Sequence, residues 1–116
     1  MKATLTALTI AATMFANSAS AFDPDDLQKL KDTFNCEECD LTGAGLRGAN
    51  LEGANLTGAG LRGAWLTGAN LWDANLKDVN LSGANLKDAK LGGAIMNGAI
   101  LCNTTMPDGS VIYSGC

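Results

Sequence analysis

The chain has 116 residues, enough for one small domain, and carries 8 Lys and Arg against 12 Asp and Glu, for a net charge of −4. It contains no His and 4 Cys. The absence of His removes the commonest general base and a common metal ligand from any catalytic site. No Ser or Cys nucleophile has a suitable base near it in the sequence, so the composition argues against an enzyme.

Residues 1–21 have the pattern of an export signal, with Lys2 followed by an apolar stretch and a small-residue cleavage site. Cleavage after Ala21 would leave Phe22 as the mature N-terminus and change the net charge from −4 to −5. The apolar run is shorter than the about 20 residues that span a bilayer. We therefore predict a periplasmic or secreted bacterial protein without a membrane anchor. The alternative is an N-terminal helix that is retained.

Residues 22–38 are predicted to form an N-terminal cap that begins with a short helix. Asp23 suits the N-cap position and Pro24 suits the first helical position. The apolar residues that would share one face of this helix and cover a core are Leu27, Leu30 and Phe34.

From residue 39 to residue 103 the chain repeats every five residues, for thirteen units without an insertion. Most units have Leu at the centre, Ala two residues before it, and Gly or Asp two residues after it. Five residues advance an α-helix by roughly 140°, and an odd period alternates between the two sides of a strand. A chain that turns by the same angle in every unit does keep every Leu on one side. The repeat therefore predicts a solenoid.

Units such as Ala-Asn-Leu-Glu-Gly at residues 49–53 and Ala-Asn-Leu-Trp-Asp at residues 69–73 resemble the pentapeptide-repeat family. The consensus of that family is Ala-(Asp/Asn)-Leu-x-x, and the resemblance covers 65 of the 116 residues. It implies an all-β solenoid, a right-handed quadrilateral β-helix with four units per coil. Residues 39–103 would make about three coils, and residues 104–116 would form a C-terminal capping tail. The family implies no single function, although some members protect DNA gyrase by mimicking DNA.

Four units per coil would stack residues that are twenty positions apart. Asn50 would then lie beneath Asn70, and Asn55 beneath Asn75. Such stacks predict that side-chain amides pair along the axis. The Gly and Asp residues that follow each Leu suit tight corners, because they tolerate unusual backbone angles or bond their own backbone.

Cys36 and Cys39 stand at the start of the repeats, and Cys102 and Cys116 stand at their end. Three coils at roughly 4.8 Å separate the two ends by about 15 Å, whereas bridged Cys residues need Cα atoms within about 7 Å. We therefore predict the disulfides Cys36–Cys39 and Cys102–Cys116. A redox motif and a zinc site are the alternatives, but the two Glu residues inside the Cys-x-x-Cys motif disfavour a thiolate. No metal and no cofactor are expected.

Two Trp residues occupy outward positions of the middle coil on neighbouring faces. Elsewhere, apart from the last coil, these positions hold small or polar residues. Because Trp and Arg often dominate binding energies, we predict a contact patch for a protein or glycan partner. The residues of this contact patch are Trp65, Trp72, Arg62, Arg47 and Lys87. The alternative is that both Trp residues pack against the chain itself, in a structural solenoid without a specific partner.

The repeats are close to electrical neutrality, with four acids and five bases between residues 41 and 103. A DNA mimic that interacts with a topoisomerase would need a long acidic rod, and a nucleic-acid binder would need a basic stripe. Neither role is favoured. Ile95 and Ile100 make the last coil unusually apolar. The tail at residues 104–116 is expected to fold over them, and otherwise they would form a weak homodimer interface.

Overall fold

A computed structural model of the protein describes residues 21–116. The predicted export signal lies outside these residues except for Ala21. The regular elements of the described chain are one helix, α1 (Pro24–Thr33), and two strands, β1 (Leu101–Thr105) and β2 (Val111–Ser114). Between α1 and β1 the chain consists of turns and single bridges. Within residues 21–116, no helix has the length and apolar character to cross a membrane.

Residues twenty positions apart in the repeats are joined by parallel bridges along the whole repeat region. The N–H of Gly60 donates to the carbonyl of Cys39, and the carbonyl of Gly60 accepts from the N–H of Leu41, both at 2.8 Å. Because every unit repeats this arrangement, units four apart lie directly over one another. The predicted stacking interval of twenty residues is confirmed. Twenty residues are called a coil below, and each of the four columns of stacked units is called a face.

Each unit ends in a tight turn that forms one corner of the coil. The N–H of Ala44 donates to the carbonyl of Leu41 at 3.0 Å, and Gly43 between them has a φ of 71°. A positive φ at the third residue is what a type II turn requires, and Gly adopts it without a steric penalty. Non-glycine residues take the same corner position with φ between 57° and 63° at Glu38, Asp73, Asp78, Asp88 and Asn103.

The core is a narrow column of Leu and Ala side chains along the axis of the stack. Leu61 and Leu66 are fully buried, and Ala64 between them is 1% exposed. Ala suits the position beside each Leu because a close-packed interior leaves no space for a larger side chain there. Each buried Leu contributes roughly 1.5–3 kcal/mol relative to an exposed one.

The Asn residues that precede a Leu use their Oδ1 atoms for a local bond to the backbone. The Oδ1 atom of Asn75 accepts the N–H of Lys77 at 3.1 Å. Among the described residues, amide pairing between coils is limited to Asn70 Nδ2 and Asn50 Oδ1, at 3.5 Å. The predicted amide pairing is therefore wrong for Asn55 and its stacked neighbour. The local bond to the backbone forms without any register between coils, and it occupies the Oδ1 atom.

Helix α1 begins where the sequence predicts. The side chain of Asp23 caps it by accepting the N–H of Asp25 at 2.8 Å, and Pro24 is the first helical residue. The carboxylate of Asp26 accepts the N–H of Asp40 at 2.8 Å, which ties the helix to the first coil.

The apolar side of α1 packs against the first coil through fewer residues than predicted. Leu30 is fully buried, and Leu27 packs against the same core. Phe34 was expected on this face, but it lies beyond the helix in the left-handed region, with a φ of 59°. Its ring is 40% exposed, while its N–H closes the helix by bonding to the carbonyl of Leu30.

The stacked geometry extends one unit beyond the predicted repeats on each side. Asn35 and Thr105 both bridge to the neighbouring coil. These units have Cys36 and Met106 at their centres instead of Leu, which hides them from the sequence pattern. Thr104 takes the position of the usual Ala and is fully buried. Its hydroxyl donates to a backbone carbonyl of the preceding coil at 2.7 Å, so the buried polar group is satisfied.

The C-terminal residues form a hairpin in which β2 pairs antiparallel with β1. In its turn the hydroxyl and the N–H of Ser110 donate to the carboxylate of Asp108 at 2.6 and 2.9 Å. These two hydrogen bonds, the hydroxyl first, lower the pKa of Asp108. Leu91, Met96 and Leu101 of the last coil remain only partly buried, so the hairpin leaves part of that end exposed.

Candidate functional site

Trp65 projects from the face whose bridged column also contains Gly45, Asn85 and Thr105. The bridges fix its place, because the N–H of Trp65 donates to the carbonyl of Ala44 at 2.9 Å. The side chain is 46% exposed. The rest of the chain therefore leaves nearly half of this side chain uncovered.

Arg47, from the preceding coil on the same face, covers the indole of Trp65. The guanidinium carbon lies 4.7 Å from the ring centroid. A cation at this distance is attracted to the aromatic ring by about 0.5–1 kcal/mol at an exposed site. The structure therefore brings together two of the five predicted residues of the contact patch, and it holds the exposed ring in place.

A hollow of about 170 Å³ lies beside Trp65, toward the following coils. Trp65 forms one wall, and Asn85 and Thr105 supply polar groups. The Oδ1 atom of Asn85 already accepts the N–H of Lys87 at 3.0 Å. Within residues 21–116, no hydrogen bond engages the Nδ2 atom of Asn85 or the hydroxyl of Thr105. The hollow thus offers one aromatic surface and two hydrogen-bonding side chains.

The corner that precedes Trp65 is formed by stacked glycines, and Gly63 and Gly83 line the hollow. A Cβ atom at Gly63 would meet nothing within 4 Å, which indicates open space above that residue. Each of the other three corners carries a carboxylate in the coils near the middle of the stack, at Asp73, Asp78 and Asp88. The hollow is therefore bordered by a corner without a negative charge, which has no side chain at Gly63 and Gly83 and carries Asn103 in the coil of Thr105.

The two remaining basic residues of the contact patch differ in their surroundings. Arg62 is exposed and precedes Gly63 in the chain, and its side chain makes no ion pair or hydrogen bond within the described residues. Lys87 pairs with Asp88 at 3.7 Å, and both side chains are more than half exposed. A surface pair of this kind contributes little free energy, so Lys87 stays available to a partner.

Trp72 lies on the neighbouring face and has a different environment. It is 48% exposed, and its ring lies against Gly92 of the following coil. A Cβ atom at Gly92 would come within 2.8 Å of the indole. One side of Trp72 thus packs on a glycine, as the structural alternative expects, while nearly half of the side chain remains available for contact.

The two Ile residues of the predicted dimer or cap surface are covered to different extents. Ile95 is 47% exposed, whereas Ile100 is partly buried. Gly115 of the tail lies close to Ile100, because a Cβ atom at Gly115 would be 3.5 Å from the Ile100 side chain. The tail therefore covers one of the two residues and leaves the other exposed.

The structure contains both predicted disulfides, Cys36–Cys39 and Cys102–Cys116. Cys36 and Cys39 are 0% and 3% exposed, which excludes solvent thiols from the bond in the native state. Cys116 is exposed and Cys102 is partly buried. Two disulfides in a small domain are typical of proteins from an oxidising compartment. Within the described residues, no cluster of potential ligands is suited to a metal ion.

The sequence pattern does not by itself single out the polar and glycine residues that line the hollow. Asn85 and Thr105 lie twenty and forty positions after Trp65, so the stacking interval alone indicates that they share its face. The glycine corner follows from the same interval, because Gly43, Gly63 and Gly83 are twenty positions apart. The stacking interval does not predict the open space between these residues.

A family model described as pentapeptide repeats matches the chain in eight copies, over residues 35–73 and 73–106. These residues make up well over half of the chain. They include Cys36 and Met106, the centres of the two flanking units that the consensus pattern alone does not reveal. No curated protein matches the chain.

Solved structures of pentapeptide repeat proteins are similar to the chain. One from Nostoc PCC 7120 is 30% identical, with 67% of this chain and 77% of that one covered and a TM-score of 0.44. One from the Arabidopsis thaliana thylakoid lumen is 27% identical, with coverages of 71% and 60% and a TM-score of 0.46. HetL from the cyanobacterium Nostoc sp. strain PCC 7120, involved in heterocyst differentiation regulation, is 38% identical. Its coverages are 67% and 40%, and its TM-score is 0.28.

Proposed function

The chain belongs to the pentapeptide repeat family, and from this premise we propose that it is an exported, non-enzymatic interaction module. Its contact surface is the patch around Trp65, and its partner is a protein or a glycan. The observation that carries the proposal is the half-exposed indole of Trp65, held by Arg47 at 4.7 Å. An aromatic residue with a fixed conformation loses little entropy on binding, which favours affinity.

We infer that the four faces form a right-handed quadrilateral β-helix, with α1 and the C-terminal hairpin as its caps. The twenty-residue interval of the bridges supports this inference, because it equals four pentapeptides. In such a coil the side chains next to each Leu point outward on flat faces. A flat face gives a partner a rigid surface on which Arg47, Trp65 and Asn85 stand in one column of units.

Export to the periplasm is part of the proposal. It is supported by the two disulfides and by the signal-like pattern of residues 1–21, with cleavage expected after Ala21. In that compartment the protein would not meet chromosomal DNA. The near-balanced charge of the repeats also disfavours a DNA-mimicking role toward a topoisomerase.

The proposal is tested by crosslinking capture from a periplasmic extract, with the wild-type protein beside a Trp65→Ala, Trp72→Ala variant. Both side chains are about half exposed, so the variant is expected to fold, and circular dichroism and thermal unfolding check this. We expect a partner that the wild type captures and the variant loses. Capture that is equal in both proteins, or absent from both, would favour a structural solenoid without a specific partner at this surface.

A second candidate is weak self-association through the last coil. It is favoured by the partly exposed Leu91 and Met96, whose N–H groups make no hydrogen bond within the described residues, and by the 47% exposure of Ile95. Sedimentation of the wild type beside Ile95→Asp tests it. We expect a concentration-dependent dimer that the substitution abolishes, and a monomer at all concentrations would exclude this candidate.

A further inference from the structure

We propose that the hollow beside Trp65 binds an acidic sugar, with one pyranose ring that carries a carboxylate as the recognised unit. The inference rests on the proposed function, because it names the chemical class of the partner at the same surface. Four properties of the hollow support it: its size, its aromatic wall, its unused polar groups and the charge on its rim.

The size of the hollow suits a single ring. Its volume is about 170 Å³, whereas pockets for drug-sized ligands measure roughly 300–1,000 Å³. The glycine corner at Gly63 and Gly83 has no side chain that would keep a ring away from the backbone. A ring can therefore lie on this corner and against the neighbouring indole at the same time.

The aromatic wall suits the apolar side of a pyranose. A sugar ring presents several C–H groups on one side, and such groups pack on the face of an indole through dispersion and weak C–H contacts. Arg47 covers the ring of Trp65 from the preceding coil, while the hollow lies toward the following coils. The guanidinium thus fixes the indole without filling the hollow.

The unused polar groups suit hydroxyls. Asn85 keeps both Nδ2 hydrogens as donors, and the Thr105 hydroxyl can both donate and accept. Neither group has a partner within residues 21–116, although both line the hollow. A ligand rich in hydroxyls can satisfy both, whereas an apolar side chain would leave them without partners.

The charge on the rim favours an anion. The side chain of Arg62, next to Gly63, has no partner in the described chain. On the face of Trp65 the cations Arg47 and Lys87 are balanced by Asp88 and Asp108, and Lys87 pairs with Asp88, so Arg62 supplies the net positive charge beside the hollow. The carboxylates of the neighbouring corners are absent from the glycine corner. A planar guanidinium pairs well with a carboxylate, often through two hydrogen bonds. A uronic acid combines this carboxylate with the pyranose ring.

An extended peptide fits the same face less well. Peptides often bind by adding a strand to an unpaired sheet edge. On this face the middle coil has no free edge, because Trp65 donates to the preceding coil and Leu66 donates to Asn85 of the following coil. The backbone is thus saturated, and recognition has to use side chains.

The test uses a Trp72→Phe variant, in which Trp65 is the single remaining Trp. The probes are an oligogalacturonate and a neutral oligogalactoside of the same length. We expect the acidic probe to change the fluorescence of Trp65 in a saturable manner and to bind about tenfold more tightly than the neutral probe. By calorimetry on the otherwise wild-type chain, Trp65→Ala should weaken binding about tenfold.

Two basic residues provide a matched pair of variants. Arg62→Gln should reduce the affinity for the acidic probe about tenfold and leave the neutral probe unaffected. Lys77 lies two units after the unit of Trp65, on the opposite face. Lys77→Gln should therefore change the affinity for neither probe. Equal affinities for both probes, or equal effects of the two substitutions, would contradict recognition of the carboxylate.

The outcomes also separate this inference from the proposed function. If neither probe binds while partner capture still depends on Trp65, the sugar inference is wrong and the interaction module stands. If neither probe binds and neither the wild type nor the variant captures a partner, the proposed function is wrong as well. Binding of the acidic probe that Trp65→Ala leaves unchanged would place the sugar elsewhere and overturn the inference.

Discussion

The two ends of the stack are closed to different degrees. In the first coil the central residues Cys36, Leu41, Leu46 and Leu51 are between 0% and 3% exposed. In the last coil Leu91, Met96, Leu101 and Met106 are all only partly buried. Additional residues after the last coil are therefore not enough to bury its central side chains. Helix α1 places an apolar side chain on the axis, whereas the hairpin pairs with one edge.

The largest difference in unfolding free energy is expected when one Leu is truncated at each end of the stack. Leu30→Ala removes a fully buried side chain at the first coil and should cost about 2–5 kcal/mol of unfolding free energy. Leu91→Ala removes a partly exposed side chain at the last coil and should cost clearly less, because less area is lost from the core. Urea unfolding of both variants measures the difference. Equal losses would show that the ends are closed to the same degree.

The next largest effect is expected from opening the C-terminal disulfide. The Cys102→Ser, Cys116→Ser variant releases a loop of about 15 residues, whose closure contributes on the order of 3 kcal/mol in the chain-entropy model. Hydrogen exchange should then accelerate in β2, while the amides around Leu41 keep their protection because α1 is untouched. Unchanged protection of β2 would mean that its pairing with β1 holds the tail without the disulfide.

A smaller effect is expected from adding one methyl group at each end. Gly92→Ala in the last coil would bring a Cβ atom within 2.8 Å of the Trp72 ring, and it should displace the ring at a cost of about 1 kcal/mol. Gly45→Ala in the first coil is the matched control, because its Cβ atom would meet nothing within 4 Å. Fluorescence of a Trp65→Phe background reports on Trp72. An unchanged emission spectrum in Gly92→Ala would contradict the packing of the Trp72 ring on Gly92.

The smallest effect concerns the turn of the hairpin. Hydrogen bonds from Ser110 lower the folded-state pKa of Asp108, so the carboxylate stabilises the turn above its unfolded pKa and loses this contribution as the pH falls through the folded pKa. Ser110→Ala removes the hydroxyl, the first cause of the shift, and should raise the pKa of Asp108 toward its ordinary value. Titration by NMR measures this, and an identical pKa in both proteins would assign the shift to another cause.

The repeat interval, both disulfides and the start of α1 could be predicted from the sequence. Each depends on a short-range rule or on strict periodicity: Asp23 and Pro24 form a local capping signal, and the pentapeptides fix the register of every coil. The flanking units were hidden because Cys36 and Met106 replace Leu at their centres.

The remaining features depend on competition between interactions, which periodicity does not resolve. Asn75 can bond along the axis or to its own backbone, and the local bond prevails. Phe34 has the spacing of a helical face but lies beyond the end of α1. The hollow beside Trp65 exists because no side chain fills the space next to Gly63 and Gly83, and the sequence does not show how side chains fill space.

The central claim is that a partner binds the face of Trp65, and site-specific photocrosslinking tests it most directly. A photoreactive residue in place of Thr67, between Arg47 and Lys87 on that face, is compared with one in place of Lys77 on the opposite face. In a periplasmic extract, the account predicts a discrete adduct from position 67 that Trp65→Ala removes, and none from position 77. The same adduct from position 77, or one from position 67 that persists without Trp65, would contradict it.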